Sequence, residues 1–472
     1  MYAEVIIEYP VKKLDRTFTY KVPTNLNVKK GMKVIVPFGT KKVNGFVLNI
    51  TNKYSGDYEL KEIIDVTSPE IVLTDELLEM GKNMSKTTLS TLISSYQTMF
   101  PSSLKVKDIK TNYNIYDLYY SLNKSEDGIK EYILNNKRNT REIYILNILL
   151  KEKKVIKDKI NYSSLKTLLD KGLIKEERVQ KYRIEDKSKK QDNIKLTKEQ
   201  VEVVTKINLN KNDTYLLWGV TGSGKTEVYI NLIEKVIKNN KTAIMLVPEI
   251  SLTMQIVNRF YNKFGSKVAV FHSALSAGEK HDEYLKIIRG EVKVVVGTRS
   301  AIFVPFQNLG IIIIDEEHSS SYKQDNNPRY HARDMALFRT EYHNIPLLLG
   351  SATPTMESMT RALTNNYKLL TLKNRVLNSK LPEVIIVDMI EEIKKRNSIL
   401  SSTLKHELIN TLERGEQAII LLNRRGHSTY INCSNCGYTY KCPSCDISLT
   451  YHKSTNNLIC HYCSYKTKKD DK

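Results

Sequence analysis

The chain has 472 residues and a mass of 54.4 kDa, a length that predicts about three domains rather than one compact core. Its 41% hydrophobic and 26% charged residues exclude collagen-like, mucin-like and wholly disordered classes, and its apolar runs are too short to cross a bilayer. The net charge is +21 (73 − 52), which favours nucleic acid as a partner, although codon bias towards lysine accounts for part of this surplus.

The first hundred residues predict a small β-rich domain, residues 1–100. Short strand-like runs are separated by Gly and Pro, which interrupt regular structure. The predicted strands are Tyr2 to Glu8, Thr17 to Val22, Lys33 to Val36 and Gly45 to Ile50. A helical pattern follows from Leu73 to Leu92.

Residues 101–190 predict a winged-helix-like domain with a linker. Two helical stretches lie between Arg141 and Glu177, and a short apolar pair, Leu173 and Ile174, follows the break at Gly172. Many small helical domains share this pattern. The polar segment from Glu185 to Asn193 is the linker candidate.

From residue 194 the pattern changes to apolar strands that alternate with helices, which is typical of a parallel sheet covered on both faces. The predicted strands are Tyr215 to Trp218, Ala243 to Val247, Val292 to Val296, Ile311 to Ile314 and Leu347 to Leu349. We expect a nucleotide-binding architecture over residues 194–372. A second alternation begins at Val384 to Val387 and continues at Ala418 to Leu422, and the cysteine-containing segment interrupts it within residues 373–472.

The segment GVTGSGKT, Gly219 to Thr226, has the spacing of a phosphate-binding loop between a strand and a helix. Gly222 and Gly224 let backbone N–H groups surround phosphate oxygens, and the helix N-terminus adds partial positive charge. Lys225 is expected to reach the outer phosphates and Thr226 to hold Mg²⁺. The sequence therefore predicts an ATP and Mg²⁺ site.

Two further motifs follow strands of the same predicted sheet. Asp315, Glu316, Glu317 and His318 come directly after the run IIII. A carboxylate at such a strand end holds Mg²⁺ and its neighbour polarises the attacking water, which assigns these roles to Asp315 and Glu316, beside Lys225 as the third catalytic residue. GSATP, from Gly350 to Pro354, separates helicases from kinases and transporters when it follows a DExH motif, so His318, Ser351 and Thr353 are the candidate coupling residues.

All six cysteines lie between Cys433 and Cys463, in three CxxC pairs. Paired CxxC turns suit tetrahedral Zn²⁺, which needs four ligands, so six cysteines fill one site and leave a pair over. Such clustering is not typical of a secreted, disulfide-stapled protein. Glu4 and Glu8 stand where a secretory signal would be basic and then apolar. We therefore expect a cytoplasmic protein with no membrane partner.

These motifs together resemble the PriA family of superfamily 2 DNA helicases, which restart bacterial replication. The similarity extends to LVPEISLT at Leu246 to Thr253, FHSALSAGE at Phe271 to Glu279, VVVGTRSAIFVP at Val294 to Pro305 and SYKQDNNPRYHARDMALFR at Ser321 to Arg339. VIVPFGTKKVNGFVL, from Val34 to Leu48, resembles the family's domain for a DNA 3′ end. The resemblance runs from near residue 1 to Cys463. It implies that residues 194–372 form one complete RecA-like P-loop lobe and that residues 373–472 form a partial second lobe with a zinc-binding insertion.

The resemblance implies a DNA-facing surface on the first lobe and an aromatic-rich loop, Tyr322 to His331, that couples DNA binding to ATP hydrolysis. Tyr322, Tyr330 and His331 would stack on bases while Lys323, Arg329 and Arg333 supply charge; an ordinary basic surface loop is the alternative. The single-strand contacts on the lobe would be Pro248, Glu249, Thr298 and Arg299.

The family pattern also implies how the cysteines pair. Cys442, Cys445, Cys460 and Cys463 would close one zinc site around a 14-residue spacer, and Cys433 and Cys436 would be half of a second site whose fourth pair is not in this sequence. His452 or His461 is the alternative source of further ligands for that second site.

The resemblance implies an ATP-dependent 3′ to 5′ helicase of replication restart that uses ATP, Mg²⁺ and Zn²⁺. Its expected partners are single-stranded and forked DNA, other primosome proteins and single-strand-binding protein. The family's later GRxGR-type motif, whose arginine reaches the γ-phosphate, is not found here, so the sequence predicts little or no unwinding by this chain. The alternatives are a non-translocating module that binds ATP and forked DNA, and another superfamily 2 translocase.

Overall fold

We describe the chain from a computed structural model. It describes residues 1–54, 56, 59–67, 73–100, 115–160, 163–184, 195–248, 254–376, 382–394, 400–421, 438–452, 456–460 and 463–468. The chain divides into two compact units, Met1–Ser379 and Lys380–Lys472. No helix among these residues combines the length and the apolar character needed to span a bilayer.

An antiparallel five-stranded sheet, in the order β2-β1-β4-β3-β5, opens the first unit. Its strands are β1 (Tyr2–Ile7), β2 (Thr17–Lys21), β3 (Lys33–Phe38), β4 (Lys41–Thr51) and β5 (Asp65–Val66). Apolar side chains such as Val5, Val34 and Val47 are fully buried on one face. Two helices follow, α1 (Asp75–Thr88) and α2 (Leu92–Thr98), each capped by a threonine hydroxyl that accepts a backbone N–H of the first turn. The four predicted strands and the helical pattern after Leu73 all correspond to elements of this region.

The next region combines a three-stranded antiparallel sheet, ordered β7-β6-β8, with three helices. Its elements are β6 (Ile115–Leu122), α3 (Glu126–Asn135), α4 (Thr140–Glu152), β7 (Lys154–Ile156), α5 (Ser164–Asp170) and β8 (Ile174–Lys181). The sequence patterns located α4, α5 and the start of β8 but missed β6 and α3. The winged-helix assignment stays a prediction, and the linker candidate from Glu185 to Asn193 lies outside the described residues.

A seven-stranded sheet with parallel pairing throughout, in the order β11-β12-β10-β13-β14-β9-β15, forms the largest part of the first unit. Its strands are β9 (Thr214–Gly219), β10 (Thr242–Leu246), β11 (Val268–Phe271), β12 (Val294–Gly297), β13 (Leu309–Ile314), β14 (Leu347–Ser351) and β15 (Lys368–Leu372). The helices are α6 (Lys198–Lys206), α7 (Lys225–Lys238), α8 (Met254–Phe264), α9 (Ala277–Ile288), α10 (Ala332–His343) and α11 (Met356–Leu363). Two hydrophobic clusters draw on alternate residues of the strands, so the sheet is covered on both faces as expected.

The second unit contains α12 (Met389–Lys394), α13 (Ser402–Glu413) and a small antiparallel sheet of β16 (Thr450–His452), β17 (Asn457–Ile459) and β18 (Lys466–Lys468). The strands expected at Val384 to Val387 and Ala418 to Leu422 are not strands in the described part of either segment. Ile386 and Ile419 are 94% and 99% exposed, and no described strand pairs with these segments. An apolar run becomes a strand only where a neighbour accepts its backbone hydrogen bonds, so those two predictions were wrong for this structure.

A buried ion pair joins α1 to the large sheet's α10 within the first unit. Arg339, fully buried, donates to both carboxylate oxygens of Glu76 and to the carbonyl oxygens of Ile302, Val304 and Phe306. Burial raises the pKa of Glu76, but the Arg339 charge and a hydrogen bond from His343 together hold that pKa below its ordinary value. The β-rich region and the large sheet are thereby held in one arrangement.

Replacing Arg339 with Met is expected to destabilise this junction by about 3–5 kcal/mol, because the carboxylate of Glu76 would stay buried without its partner. The measurement is hydrogen exchange of the α1 and α10 backbone amides, which should become faster together. Arg178→Met is the matched control, since the Arg178 side chain is 70% exposed. Unchanged exchange in both helices would contradict the expectation.

Candidate functional site

The phosphate-binding loop connects β9 to α7 at the carboxyl edge of the large sheet. Gly222 and Gly224 have φ values of 80° and 78°, which side-chain-bearing residues rarely adopt. Lys225 donates from Nζ to the carbonyl oxygen of Gly219 at 2.9 Å, and Thr226 follows it in the first turn of α7. The loop therefore has the turn and the cation that a triphosphate requires, and its residues fit ATP.

Gln200 supports the loop from α6, a role that the sequence patterns missed. Its side chain accepts the Thr197 N–H at 2.9 Å and donates to the Ser223 carbonyl oxygen at 2.9 Å. A Cβ on Gly224 would lie 2.4 Å from Gln200 Nε2, so the glycine is needed for close approach as well as for its φ. The reciprocal Thr197 and Gln200 bonds form a capping box, which was the available sequence signal.

Asp315 lies at the end of β13, beside the loop. Its Oδ1 accepts from the Tyr229 hydroxyl at 2.9 Å and from the Glu316 N–H at 3.0 Å. Tyr229 belongs to the helix that begins with Lys225, so this bond connects the loop to the carboxylate. A Cβ on Gly350 would lie 1.7 Å from the Tyr229 hydroxyl, which makes glycine necessary there. The predicted Mg²⁺ carboxylate and the predicted phosphate loop are therefore neighbours.

Burial, followed by the charge of Glu316, raises the pKa of Asp315 to about 6. A Mg²⁺ ligand must be ionised, so below pH 6 the metal has to displace a proton. The pKa of Asp315 is higher in the folded chain than in the unfolded chain. Protonated Asp315 therefore stabilises the metal-free fold at low pH, and that contribution is lost as the pH rises through about 6.

We expect the affinity for Mg²⁺ and ATP to fall about tenfold per pH unit below pH 6 through Asp315, in addition to the titration of ATP itself. Isothermal titration in buffers of different ionisation enthalpy measures the protons released on binding. Asp315→Asn keeps the size of the side chain but has no carboxyl proton to release. The protons that ATP itself releases are the same for both proteins, so the difference between the two proteins measures Asp315. Equal proton release by the two proteins at pH 5.5 would refute the expectation.

The expected coupling residues meet in one hydrogen-bonded group. His318 Nδ1 lies 2.8 Å from Ser351 Oγ, and Ser351 Oγ accepts the Thr353 N–H at 3.0 Å. Trp218, at the end of β9 and 45% exposed, donates from Nε1 to the Ala352 carbonyl oxygen at 3.1 Å. The DEEH and SAT segments and the strand before the loop are thus directly connected.

Glu317, which the sequence patterns did not single out, extends this group. Its buried carboxylate accepts from Thr355 N–H at 2.7 Å and from Ser358 Oγ at 2.9 Å. Ser358 also accepts from the Arg333 guanidinium at 3.2 Å. Arg333 follows the aromatic-rich loop, so the acidic motif contacts both that loop's far end and α11.

The aromatic-rich loop differs from its expected arrangement in the placement of its tyrosines. Tyr322 is 1% exposed and donates to the Asp315 carbonyl oxygen at 2.6 Å, and Tyr330 is 2% exposed and packs edge-on against Phe303. Neither ring has a face open to a base in this structure. The stacking expected of them is therefore corrected to a packing role, because both rings complete the core beneath the loop.

The remaining predicted DNA contacts of the loop, Lys323, Arg329 and His331, are exposed or half-buried and make hydrogen bonds with backbone groups. Lys323 and Arg329 are exposed, with Lys323 Nζ donating to the Arg329 carbonyl oxygen at 2.7 Å. His331 is half-buried and accepts the Arg333 N–H at 3.1 Å; burial, and then the Arg333 charge, lower its pKa. These three residues stay predicted DNA contacts.

The predicted single-strand contacts on the lobe are partly described. Pro248 is buried just after β10, Thr298 is half-buried after β12, and Glu249 lies outside the described residues. Arg299 donates to the carbonyl oxygens of Ser321 and Lys323 and lies over the Tyr330 ring at 5.8 Å from its centroid. Arg299 therefore holds the aromatic-rich loop in place, and its contact with DNA stays a prediction.

The candidate metal site is formed by two equivalent turns of the second unit. The sulfur atoms of Cys442, Cys445, Cys460 and Cys463 all lie within 4.8 Å of one another, and the Sγ atoms of Cys442 and Cys463 are 3.5 Å apart. Tetrahedral Zn–S bonds of about 2.3 Å place sulfurs about 3.8 Å apart, so the four thiols fit Zn²⁺.

Each turn also repeats the same backbone pattern. The N–H groups of Asp446 and Ser464 donate at 2.8–2.9 Å to the carbonyl oxygen of the first cysteine of their pair, and both residues have positive φ. The expected inner set is thus assembled, whereas Cys433 and Cys436 lie outside the described residues, as does His461.

Three family models match the chain. Residues 4–101 match a 3′ DNA-binding domain of PriA, residues 197–362 match a DEAD/DEAH box helicase, and residues 442–468 match the Cys-rich region domain of PriA DNA helicase. The matched ranges contain most of the β-rich region, the strands β9 to β14 of the large sheet with the phosphate-binding loop, and the four cysteines.

Curated relatives match over nearly the whole chain. The replication restart protein PriA of Bacillus subtilis is 42% identical over 98% of this chain and 67% of its own length. That of Chlamydia trachomatis is 35% identical over 99% of this chain and 64% of its own length. The chain thus spans about two thirds of the length of these relatives. A solved structure of RecG bound to a three-way DNA junction is 27% identical to this chain, covers 41% of it and 25% of the RecG chain, and has a TM-score of 0.30.

Proposed function

The chain belongs to the PriA family of replication restart helicases, and from that premise we propose that it binds ATP with Mg²⁺ and couples ATP hydrolysis to movement on DNA. The proposed movement is 3′ to 5′ along the single strand of stalled or branched forks, for primosome assembly. We place the protein in the cytoplasm, with other primosome proteins and single-strand-binding protein as its partners.

The observation that carries this proposal is the hydrogen bond from Tyr229 to Asp315 at 2.9 Å. It joins the helix of the phosphate-binding loop to the carboxylate at the end of β13, so the groups proposed for the phosphates and for Mg²⁺ are held on one rigid edge. Mg²⁺ would neutralise charge on the phosphate oxygens. Lys225 would bind those oxygens, Thr226 and Asp315 would hold the metal, and Glu316 would orient water.

The DNA side of the proposal relies on contacts that begin at the same carboxylate. Tyr322 donates to the backbone of Asp315, and Arg299 holds the loop that contains Lys323 and Arg329. A strand that contacts these exposed cations can therefore shift backbone groups next to Asp315. This route supports DNA-stimulated hydrolysis, with phosphate contacts that position the strand without reading its sequence.

The second candidate is a module that binds ATP and forked DNA without translocating. It differs from the first in having no arginine at the γ-phosphate, a group that accounts for about 10³ to 10⁵ in rate where it is present. This candidate keeps the same nucleotide and metal residues.

Strand separation and phosphate release, measured on one preparation with a forked duplex, distinguish the two candidates. The helicase proposal expects ATP-dependent displacement of a strand. Binding of ATP and of the fork, with neither turnover nor displacement, would support the module and overturn translocation by this chain.

A further inference from the structure

A short segment after the edge strand β15 lies against the phosphate-binding loop. The Val376 N–H donates to the Gly222 carbonyl oxygen at 3.0 Å, and the Val220 N–H donates to the Leu372 carbonyl oxygen at 3.2 Å. Asn374 donates from Nδ2 to Glu199 Oε1 at 2.6 Å, which ties the segment to α6 as well. The segment Lys373 to Val376 is therefore fixed to the loop at both ends.

The hydrogen bond to Gly222 indicates which face of the loop is covered. In a phosphate-binding loop the N–H groups turn towards the anion and the carbonyl groups turn away. Because Val376 bonds to a carbonyl, the segment covers the outer face. Arg375 lies on that face, and a Cβ on Gly222 would be 3.9 Å from its Cγ and 4.0 Å from its Cδ. Its methylene groups thus pack over the glycine.

The guanidinium of Arg375 is not occupied by hydrogen bonds within the fold. Its Nε is buried and has no hydrogen-bond partner among the described residues. No hydrogen bond or ion pair among the described residues engages the rest of the guanidinium, and the side chain is only half-buried, so the group is free to meet a ligand. Gln200 of α6 lies at the same loop, because a Cβ on Gly224 would meet both Gln200 Nε2 and Val376 Cγ2. Arg375 and Gln200 are therefore two polar side chains beside Gly222 to Gly224, at the sheet edge where nucleotides bind.

We propose that Arg375 binds the base of the nucleotide, with its planar guanidinium stacked on the ring of a purine nucleoside triphosphate. This inference rests on the proposed ATP site. A guanidinium is planar and weakly hydrated, which suits stacking on an aromatic face. Its place on the outer face separates it from the triphosphate, which Lys225 and the loop N–H groups contact from the inner face. Arg375 would therefore contribute affinity for the nucleoside and little for the phosphates.

The test compares the dissociation constants of ATP and of inorganic tripolyphosphate, each with Mg²⁺, by isothermal titration on the full chain. Arg375→Met keeps the methylene packing over Gly222 and removes the guanidinium. We expect ATP to bind about tenfold more weakly and tripolyphosphate to change by less than about twofold. Lys373→Met removes the same charge from an exposed neighbour and should change neither constant.

Each other outcome would overturn either the base contact or the proposed ATP site. Unchanged ATP affinity in Arg375→Met, while Lys225→Ala abolishes binding, would overturn the base contact and leave the proposed ATP site intact. Equal weakening of ATP and tripolyphosphate would also overturn it, since the contact would then be with phosphate. Failure of the unaltered chain to bind ATP would overturn the proposed function and this inference with it. A lowered melting temperature of Arg375→Met with weakened binding of both ligands would indicate a packing role only.

Discussion

Removal of zinc is expected to unfold the small sheet of β16, β17 and β18 together with the four cysteines, and to leave the seven-stranded sheet folded. The hydrophobic cluster of this segment contains Leu449 and Leu458 beside two of the cysteines, and its three strands have three residues each. So small a core cannot offset the entropy of ordering the chain, and structural zinc supplies about 10–16 kcal/mol of apparent binding free energy at pH 7. Hydrogen exchange before and after chelation measures the effect, with protection lost at the Cys442 and Cys460 amides and kept along β13.

Zinc content by atomic emission completes this test. We expect one zinc atom per chain, and none in a Cys460→Ser variant. Cys433→Ser is the matched control and should keep one atom, because that cysteine is not in the inner set. Two atoms per chain would show that the outer pair has found further ligands, and protection that survives chelation would contradict the structural role of the metal.

Lys225→Ala is expected to lower DNA-stimulated phosphate release by about 10²- to 10³-fold, as the loss of a fixed charge at a developing transition-state charge generally does. Lys225 begins α7 and its Nζ contacts the loop at Gly219 in the free protein, so the side chain is held beside the phosphate position before nucleotide arrives. Alanine keeps the helix and removes the cation. The measurement is phosphate release with and without single-stranded DNA.

Lys235→Ala provides the control for this variant, since Lys235 is an exposed residue in the last turn of the same helix. Its rate should equal that of the unaltered chain. Retention of more than about a tenth of the rate in Lys225→Ala would contradict the assignment of the loop. Absence of turnover in the unaltered chain, with ATP binding lost only in Lys225→Ala, would favour the non-translocating module.

The sequence predicts most reliably those parts of the site whose chemistry is contiguous along the chain. GVTGSGKT specifies its own strand, turn and helix, and the strand before Asp315 is a run of β-branched residues that can only be buried. Val268–Phe271 and Lys368–Leu372 were not predicted as strands; the second mixes polar with apolar residues and so lacks a continuous apolar run. Gln200 and Arg375 lie far from the loop in sequence, so only the folded chain reveals that they flank it.

Other errors have a different physical origin. An aromatic side chain in a basic loop can stack on a ligand or complete the core, and composition does not distinguish these; Tyr322 and Tyr330 do the latter. The apolar runs at Val384 and Ala418 satisfy the pattern of a strand, but pairing depends on a neighbour that the pattern does not contain. Local chemistry could thus be predicted, whereas arrangements that depend on distant residues could not.

Trp218 is the single tryptophan of the chain, and it is the last residue but one of β9, the strand that the phosphate-binding loop follows. Its indole is half in solvent and bonded to the SAT segment. All tryptophan fluorescence of the protein therefore originates at this one point. A change in tryptophan emission can therefore be attributed to that edge of the sheet, without labelling or mutation of the protein.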